Sequence, residues 1–344
     1  MSSEAKMLNA ARFAVAEACH VCRKVQRDLA TVQKALKDDR SPVTVADFAS
    51  QAVIARALAE QLGSIKLVAE EDANELRART DSGDTALLDA VVSAVRTVWH
   101  NATPDEVLDM IDLGNADPKR DHLHAFWTLD PIDGTKGFLR GQQYAVSLAW
   151  IENGSPIIGA LGCPNLSADF NRGFDEPEEH GTMYSAIAGD GVWESRADDF
   201  KTAGSQLKRL EVSEDEPIRM CESVEAAHTS HNDSERVLEQ LGEPGEPARL
   251  DSQAKYAVVA RGQADLYLRL PTKKGYVERI WDHAAGSLVA IEAGCAVTDA
   301  AGNALDFSHG VGLEKNRGIV VAPTLLHGKA IGAIRDLGLL NLPT

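Results

Sequence analysis

Residues 126–137 read Phe-Trp-Thr-Leu-Asp-Pro-Ile-Asp-Gly-Thr-Lys-Gly, an apolar, strand-like run that ends in two carboxylates, Asp130 and Asp133, around a proline. This string narrows the options for the chain more than any other. The proline fixes the next backbone angle and the Asp-Gly pair turns the chain, so several oxygens are aimed at one spot. Converging oxygens are what a hard divalent cation takes as ligands. The same residue types also build ordinary surface turns, and the rest of the chain decides between the two.

The formal charge of −17 sets the first limit. Nucleic acid polymers and anionic membranes rely on a basic surface, which excludes them as main partners. A phosphorylated small molecule is compatible if metal ions neutralise the local carboxylates and a basic patch completes the pocket. Residues 249–282 supply that patch, with seven Lys or Arg against four acids. The 344 residues suffice for one large core or two domains, and a hydrophobic fraction of 44% with 25% charged is ordinary for a soluble protein. Five irregularly spaced cysteines do not make a disulfide framework. With no signal-peptide pattern at the start and no run able to span a bilayer, the expected location is the cytoplasm.

Along the chain, residues 5–36 show helical spacing without Gly or Pro, which predicts one long amphipathic helix ended by Pro42. Thr44 and Asp47 resemble a capping box that opens a second helix to about residue 62. Residues 65–69 read as a short strand that ends in Glu70-Glu71-Asp72. Residues 73–121 are acidic, with a helical patch near 86–99, and read as a variable excursion. Hairpins are predicted over 144–163, around Glu-Asn-Gly154, and over 183–193, around Gly-Asp-Gly191. Residues 168–181 and 231–248 read as loops, 266–270 as a strand, and Asp282 as the start of a small-residue helix that ends at Gly294. A last helix covers 324–336. The boundary is placed near residue 165, giving an N-terminal metal-binding region over 1–165 and a C-terminal nucleotide-binding region over 166–344.

Asp47, Glu70, Asp130, Asp133 and Asp282 each lie at the end of a predicted element. Magnesium suits such a set, because it uses carboxylates together with phosphate oxygens and keeps several waters. Two such ions about 4 Å apart support in-line hydrolysis of a phosphate ester. Thr135 lies two residues beyond Asp133, and a hydroxyl near a carboxylate such as Asp47 can orient the attacking water and accept its proton. The EF-hand spacing fails, since Ile132 stands at the third position and Gly141 at the twelfth. P-loop and dinucleotide fingerprints are absent. His228, His231 and Asp233 lack a further ligand at zinc spacing. Cys19-His-Val-Cys22 has redox spacing, but on a helix it marks a buried face.

Asp130-Pro-Ile-Asp-Gly-Thr135 with Trp281-Asp-His-Ala-Ala-Gly286 resembles the double signature of the magnesium-dependent, lithium-sensitive phosphatases related to inositol monophosphatase. Further strings resemble its 3'(2'),5'-bisphosphate nucleotidases: Asp39-Arg-Ser-Pro-Val-Thr-Val-Ala-Asp47, Gly134-Thr-Lys-Gly-Phe-Leu-Arg-Gly141, His228-Thr-Ser-His231, Asp251-Ser-Gln-Ala-Lys-Tyr256 and Tyr267-Leu-Arg-Leu-Pro271. The resemblance covers roughly residues 8–330. It implies an α/β sugar-phosphatase-like fold, a five-layer αβαβα sandwich, with the site in a cleft. It implies two or three Mg2+ ions on Glu70, Asp130, Asp133, Asp282 and the carbonyl of Ile132, and water activation by Asp47 and Thr135. His228, Ser252, Lys255 and Arg269, with Thr135 and Asp282, would hold the substrate. The implied reaction converts 3'-phosphoadenosine 5'-phosphate to AMP and phosphate, with 3'-phosphoadenosine 5'-phosphosulfate as a second substrate, in a monomer. An inositol polyphosphate 1-phosphatase is the alternative within the same fold. The cationic stretch around Lys255 and Arg269 favours a substrate with two phosphates, because charge is needed beyond what the metals supply at one of them.

Overall fold

The structure, a computed structural model, describes residues 2–35, 42–176, 178–202, 204–209, 217–225, 230–242, 245–273 and 275–340. The predicted long first helix is two helices, α1 (Ser3–Arg27) and α2 (Leu29–Ala35). Asp28 interrupts them, its N–H turning back to the carbonyls of Lys24 and Val25. Helix α3 (Pro42–Leu62) starts two residues before Thr44. Proline suits a first helical position, where its missing N–H costs nothing. Thr44 and Asp47 therefore sit inside the helix, and the expected cap is displaced.

Strand β1 (Leu67–Ala69) follows, shorter than expected, and then three helices, α4 (Asn74–Asp81), α5 (Ala86–Val95) and α6 (Pro104–Asp112). The region read as a variable excursion is largely helical, and α5 falls in the helical patch expected near 86–99. In α6, Thr103 accepts from the Glu106 N–H and Glu106 accepts from the Thr103 N–H, a complete capping box with Pro at the first turn. Strand β2 (Ala125–Asp133) and the short α7 (Thr135–Arg140) carry the metal-type string. The predicted hairpins are present as β3 (Ala145–Glu152) with β4 (Ser155–Cys163) and β5 (Thr182–Ile187) with β6 (Gly191–Arg196).

The remaining elements are β7 (Ser205–Gln206), β8 (Met220–Glu222), α8 (His231–Leu241), β9 (Ala248–Arg249), α9 (Ala254–Ala260), β10 (Leu266–Arg269), α10 (Ala284–Glu292), β11 (Cys295–Thr298), β12 (Ile319–Pro323) and α11 (Thr324–Asp336). Residues 231–241, expected as loop, are helical because Ser230 accepts from the Asp233 N–H and buries Val237 and Leu238 behind it. Asp282 lies just before α10, whose N-cap position is His283, so it is not the cap its place suggested.

These elements stack as five layers. A seven-stranded sheet runs β1-β2-β3-β4-β5-β6-β7 and a five-stranded sheet runs β11-β12-β10-β8-β9. Helices α1 and α3 cover the outer face of the first sheet, α9 and α10 lie between the sheets, and α8 and α11 cover the second. The inner helices can be buried because they are short-chained: α10 reads Ala-Ala-Gly-Ser-Leu-Val-Ala and every one of those residues is buried. Helix α3 likewise buries Ala46, Ala49, Ala52, Val53, Ile54 and Leu58, the pattern of a helix enclosed on most sides. Strands β4 and β5 pair with each other across residue 165, so the first sheet draws on both sides of that boundary.

Candidate active site

Three strand ends and three helix starts build the site. Strands β1 and β2 run parallel, so Glu70 and the end of β2 emerge side by side. In an unbroken strand, residues three apart point to opposite faces. Here Asp130 pairs with Ser147 and Asp133 with Ala145, so β2 carries one extra residue between them. This bulge re-aims the strand, and Asp130, Ile132 and Asp133 all line one cavity of about 350 Å³. The proline carbonyl is tied to α3, since Ser50 Oγ donates to Pro131 O at 2.9 Å.

Gly134 has φ +89°, and a Cβ there would meet the Ser252 Cβ at 2.9 Å. The turn after Asp133 is thus pressed against the start of α9. Asp133 Oδ2 accepts from the Gln253 N–H at 2.6 Å. Gln253 continues the connection, donating to Trp281 O at 2.9 Å and accepting from the Gly286 N–H at 3.0 Å. One buried amide thereby registers the end of β2, α9 and α10 with one another. Ser252 itself has φ +70°, a conformation costing about 1–3 kcal/mol in a non-glycine residue.

The carboxylates are crowded. Asp130 is 2% exposed, and its Oδ1 is buried with no hydrogen-bond partner among the described residues. Burial raises its pKa well above the ordinary range, and Glu70, Asp133, Asp282 and Asp47 add to the shift. Asp282 is raised well above its usual value by burial and then by Asp133. Glu70 is raised by desolvation and Asp133, although it hydrogen-bonds Asp130. A buried carboxylate oxygen without a donor, hydrogen-bonded carboxyl neighbours and mutual repulsion together fit a divalent cation, which relieves all three. Glu278, Asp282 and His283 also bring ligand atoms within 4.8 Å of one another. Glu278, however, accepts two hydrogen bonds from Arg269, so the crowded acids around Asp130 are the better cation site.

The cationic wall is narrower than the sequence suggested. Lys255, Arg269 and Arg279 line the cavity. Arg249 instead pairs with Glu222, and Arg261 is buried against Ser167 O and Tyr184 Oη. Lys255 is 2% exposed and donates to Leu250 O at 3.1 Å. Burial pulls its ammonium down to about 8, against the attraction of Asp133. Burial works against the Arg269 charge, but Glu278, Tyr267 and Asp282 together outweigh it and hold that pKa above the ordinary value.

Of the residues singled out from the sequence, Glu70, Asp130, Ile132, Asp133, Thr135, Ser252, Lys255, Arg269 and Asp282 share the cavity. Asp47 does not line it. It is buried on α3, its pKa raised by burial and then by Glu71 and Glu70, and no hydrogen bond joins it to Thr135 among the described residues. His228 lies outside the described residues. His231 packs its ring on the chain, with Nε2 at 2.9 Å from Ser223 O. Cys19 and Cys22 are buried on α1, and burial pushes Cys19 up to about 12, which makes it a poor thiolate. Tyr276, Arg279 and Gln253 line the cavity without having been singled out. Arg279 carried a signal as one charge of the basic stretch, and Gln253 lay within the Asp251-Ser-Gln-Ala-Lys-Tyr256 string.

The model of the inositol monophosphatase family matches residues 3–339. A 3'(2'),5'-bisphosphate nucleotidase of Schizosaccharomyces pombe is 39% identical over 93% of this chain and 92% of its own. A 3'(2'),5'-bisphosphate nucleotidase 1 of Arabidopsis thaliana is 41% identical over 96% of each. Among solved structures, an inositol monophosphatase from Zymomonas mobilis superposes with a TM-score of 0.61 at 15% identity, over 97% of this chain and all of the other. Mycobacterium tuberculosis SuhB gives 0.59 at 19%, over 99% of this chain and all of the other. These two likenesses concern the fold.

Proposed function

Since the chain belongs to the inositol monophosphatase family, we propose that it is a 3'(2'),5'-bisphosphate nucleotidase that converts 3'-phosphoadenosine 5'-phosphate to AMP and phosphate. The observation that carries this reading is a single cavity that holds both a crowd of acids around Asp130 and two cations, the buried Lys255 and the nearly buried Arg269. The acids suit metal ions at the phosphate to be cleaved, and the cations suit a second phosphate that is kept. The names of relatives near 40% identity over almost their whole length support the same substrate.

Family membership implies dependence on a divalent metal. We assign two or three Mg2+ ions to Glu70, Asp130, Asp133, Asp282 and the carbonyl of Ile132. Held there, such ions would neutralise the acids and supply Lewis-acid chemistry at the phosphoryl group. The chain's own residues do the rest. Thr135, the first residue of α7, orients the attacking water from the cavity wall, and Asp47, buried on α3, is the assigned acceptor of its proton. Ser252, Lys255, Arg269 and His228 hold the nucleotide and its 5'-phosphate, and Thr135 and Asp282 contact the phosphate that leaves. The same contacts accommodate 3'-phosphoadenosine 5'-phosphosulfate. Among the described residues no helix is long and apolar enough to cross a membrane. A monomer in the cytoplasm, with neither nucleic acid polymers nor membranes as partners, accords with the charge of −17.

The test is phosphate release from 3'-phosphoadenosine 5'-phosphate, inositol 1,4-bisphosphate and inositol 1-phosphate at equal concentration, with Mg2+ or with EDTA. Metal-dependent release from the nucleotide above both inositol phosphates is expected. Preference for an inositol phosphate would overturn the substrate assignment and leave the metal site standing.

A further inference from the structure

We infer that Glu278 is a positioning residue that sets the preference for a substrate with two phosphates, by fixing the plane of the Arg269 guanidinium at the cavity wall. This rests on the nucleotidase reading above. Arg269 is the last residue of β10 and lines the cavity, whereas Glu278 does not. Glu278 therefore acts through Arg269 and has no contact with the substrate.

The geometry is specific. Arg269 Nε donates to Glu278 Oε1 at 2.9 Å and an Nη donates to Oε2 at 2.6 Å, with both side chains nearly buried. Such a two-point pair fixes a planar group in orientation as well as position. Glu278 is itself braced from two sides. Its backbone carbonyl accepts from the Leu313 N–H at 2.8 Å. On the side-chain face, His283 Nε2 lies 3.4 Å from Oε2, and Tyr256 Oη lies 2.8 Å from His283 Nδ1. A carboxylate only accepts, so His283 carries its proton on Nε2, and in the neutral ring Nδ1 then accepts from the tyrosine.

This chain of contacts begins one residue after Lys255 and passes one residue after Asp282. The element that carries one phosphate-type cation and the element that carries one metal-type acid are thus both built into the support of Arg269. Lys255 needs no such brace, because an ammonium is a point charge without a plane to orient.

The experiment measures KM and kcat for the wild type, Glu278→Gln and Glu278→Asp, with 3'-phosphoadenosine 5'-phosphate and with adenosine 3'-monophosphate. Glu278→Gln is expected to raise KM for the bisphosphate about tenfold, to lower kcat by less than about threefold, and to change KM for the monophosphate by less than about twofold. Glu278→Asp, which keeps two acceptor oxygens, restores most of the loss. An equal rise in KM for both substrates, an unchanged KM, or a fall in kcat alone would overturn the inference. Should Glu278→Gln not fold, Arg269→Lys gives the same test, because lysine keeps the charge and loses the plane. A wild-type KM in that variant would equally overturn it. A wild type that shows no preference for the bisphosphate would instead refute the nucleotidase reading.

Discussion

Lys255 is the residue whose chemistry gives the sharpest test. An ammonium group holds a phosphate only while protonated, and burial sets its pKa at about 8. Because kcat/KM reports groups of the free enzyme, kcat/KM for 3'-phosphoadenosine 5'-phosphate is expected to fall as pH rises through 8. The limb should vanish in Lys255→Met, which starts from a lower plateau. A pH profile of the wild type that stays flat to pH 9.5 would remove Lys255 from the phosphate site. The sequence pointed to this residue as one charge of a basic stretch and as part of the Asp251-Ser-Gln-Ala-Lys-Tyr256 string, but not to its burial. That burial comes from packing between segments apart in the chain, which local patterns do not encode.

At the scale of elements, the close packing of α10 against α9 depends on Gly286. A Cβ there would meet the Tyr256 ring at 2.4 Å, and the ring has nowhere to go, being buried at 1% exposure between α10 and β10. Gly286→Ala is therefore expected to destabilise the protein by about 1–3 kcal/mol, as overpacking of a core does, measured by chemical denaturation. Wild-type stability would show that α9 and α10 can part without cost. Gly286 and Asp282 were legible as a string, and the small-residue run of α10 as a helix, because a buried helix between sheets must be made of such residues. Helices α6 and α8 were not read, although Thr103-Pro-Asp-Glu106 and Ser230-x-x-Asp233 carry recognisable caps. Their acidic, loop-like composition outweighed a short signal. The bulge in β2 also escaped, since alternation within a strand does not reveal which residue is extra.

For the molecule as a whole, the acids around Asp130 link metal binding to stability. Asp47, Asp130 and Asp282 have raised pKa values through burial, and Glu71, raised by burial and then by Glu70, sits at about 7 against 4.5 for the free group. A carboxyl whose folded pKa is raised contributes stability that is full below its unfolded pKa and is lost as pH rises through the folded value. For Glu71 that window runs from 4.5 to about 7. The metal-free protein should therefore weaken across it, while a cation bound only by the folded state offsets the loss. The gain in Tm from Mg2+ over EDTA is expected to be larger at pH 7.5 than at pH 5.5, by at least about 2 °C for a chain of this size. An equal gain at both pH values would mean that the acids do not hold the ion. The layered architecture was legible from the alternation of elements and the two matched strings, but the pairing of β4 with β5 across residue 165 was not, because sheet membership is decided by partners and not by position. The central claim is that one phosphate is cleaved while the other is held by Lys255 and Arg269, and 31P NMR of the products from 3'-phosphoadenosine 5'-phosphate with Mg2+ tests it most directly. The expected result is inorganic phosphate with adenosine 5'-monophosphate as the sole nucleotide; accumulation of adenosine 3'-monophosphate would contradict it.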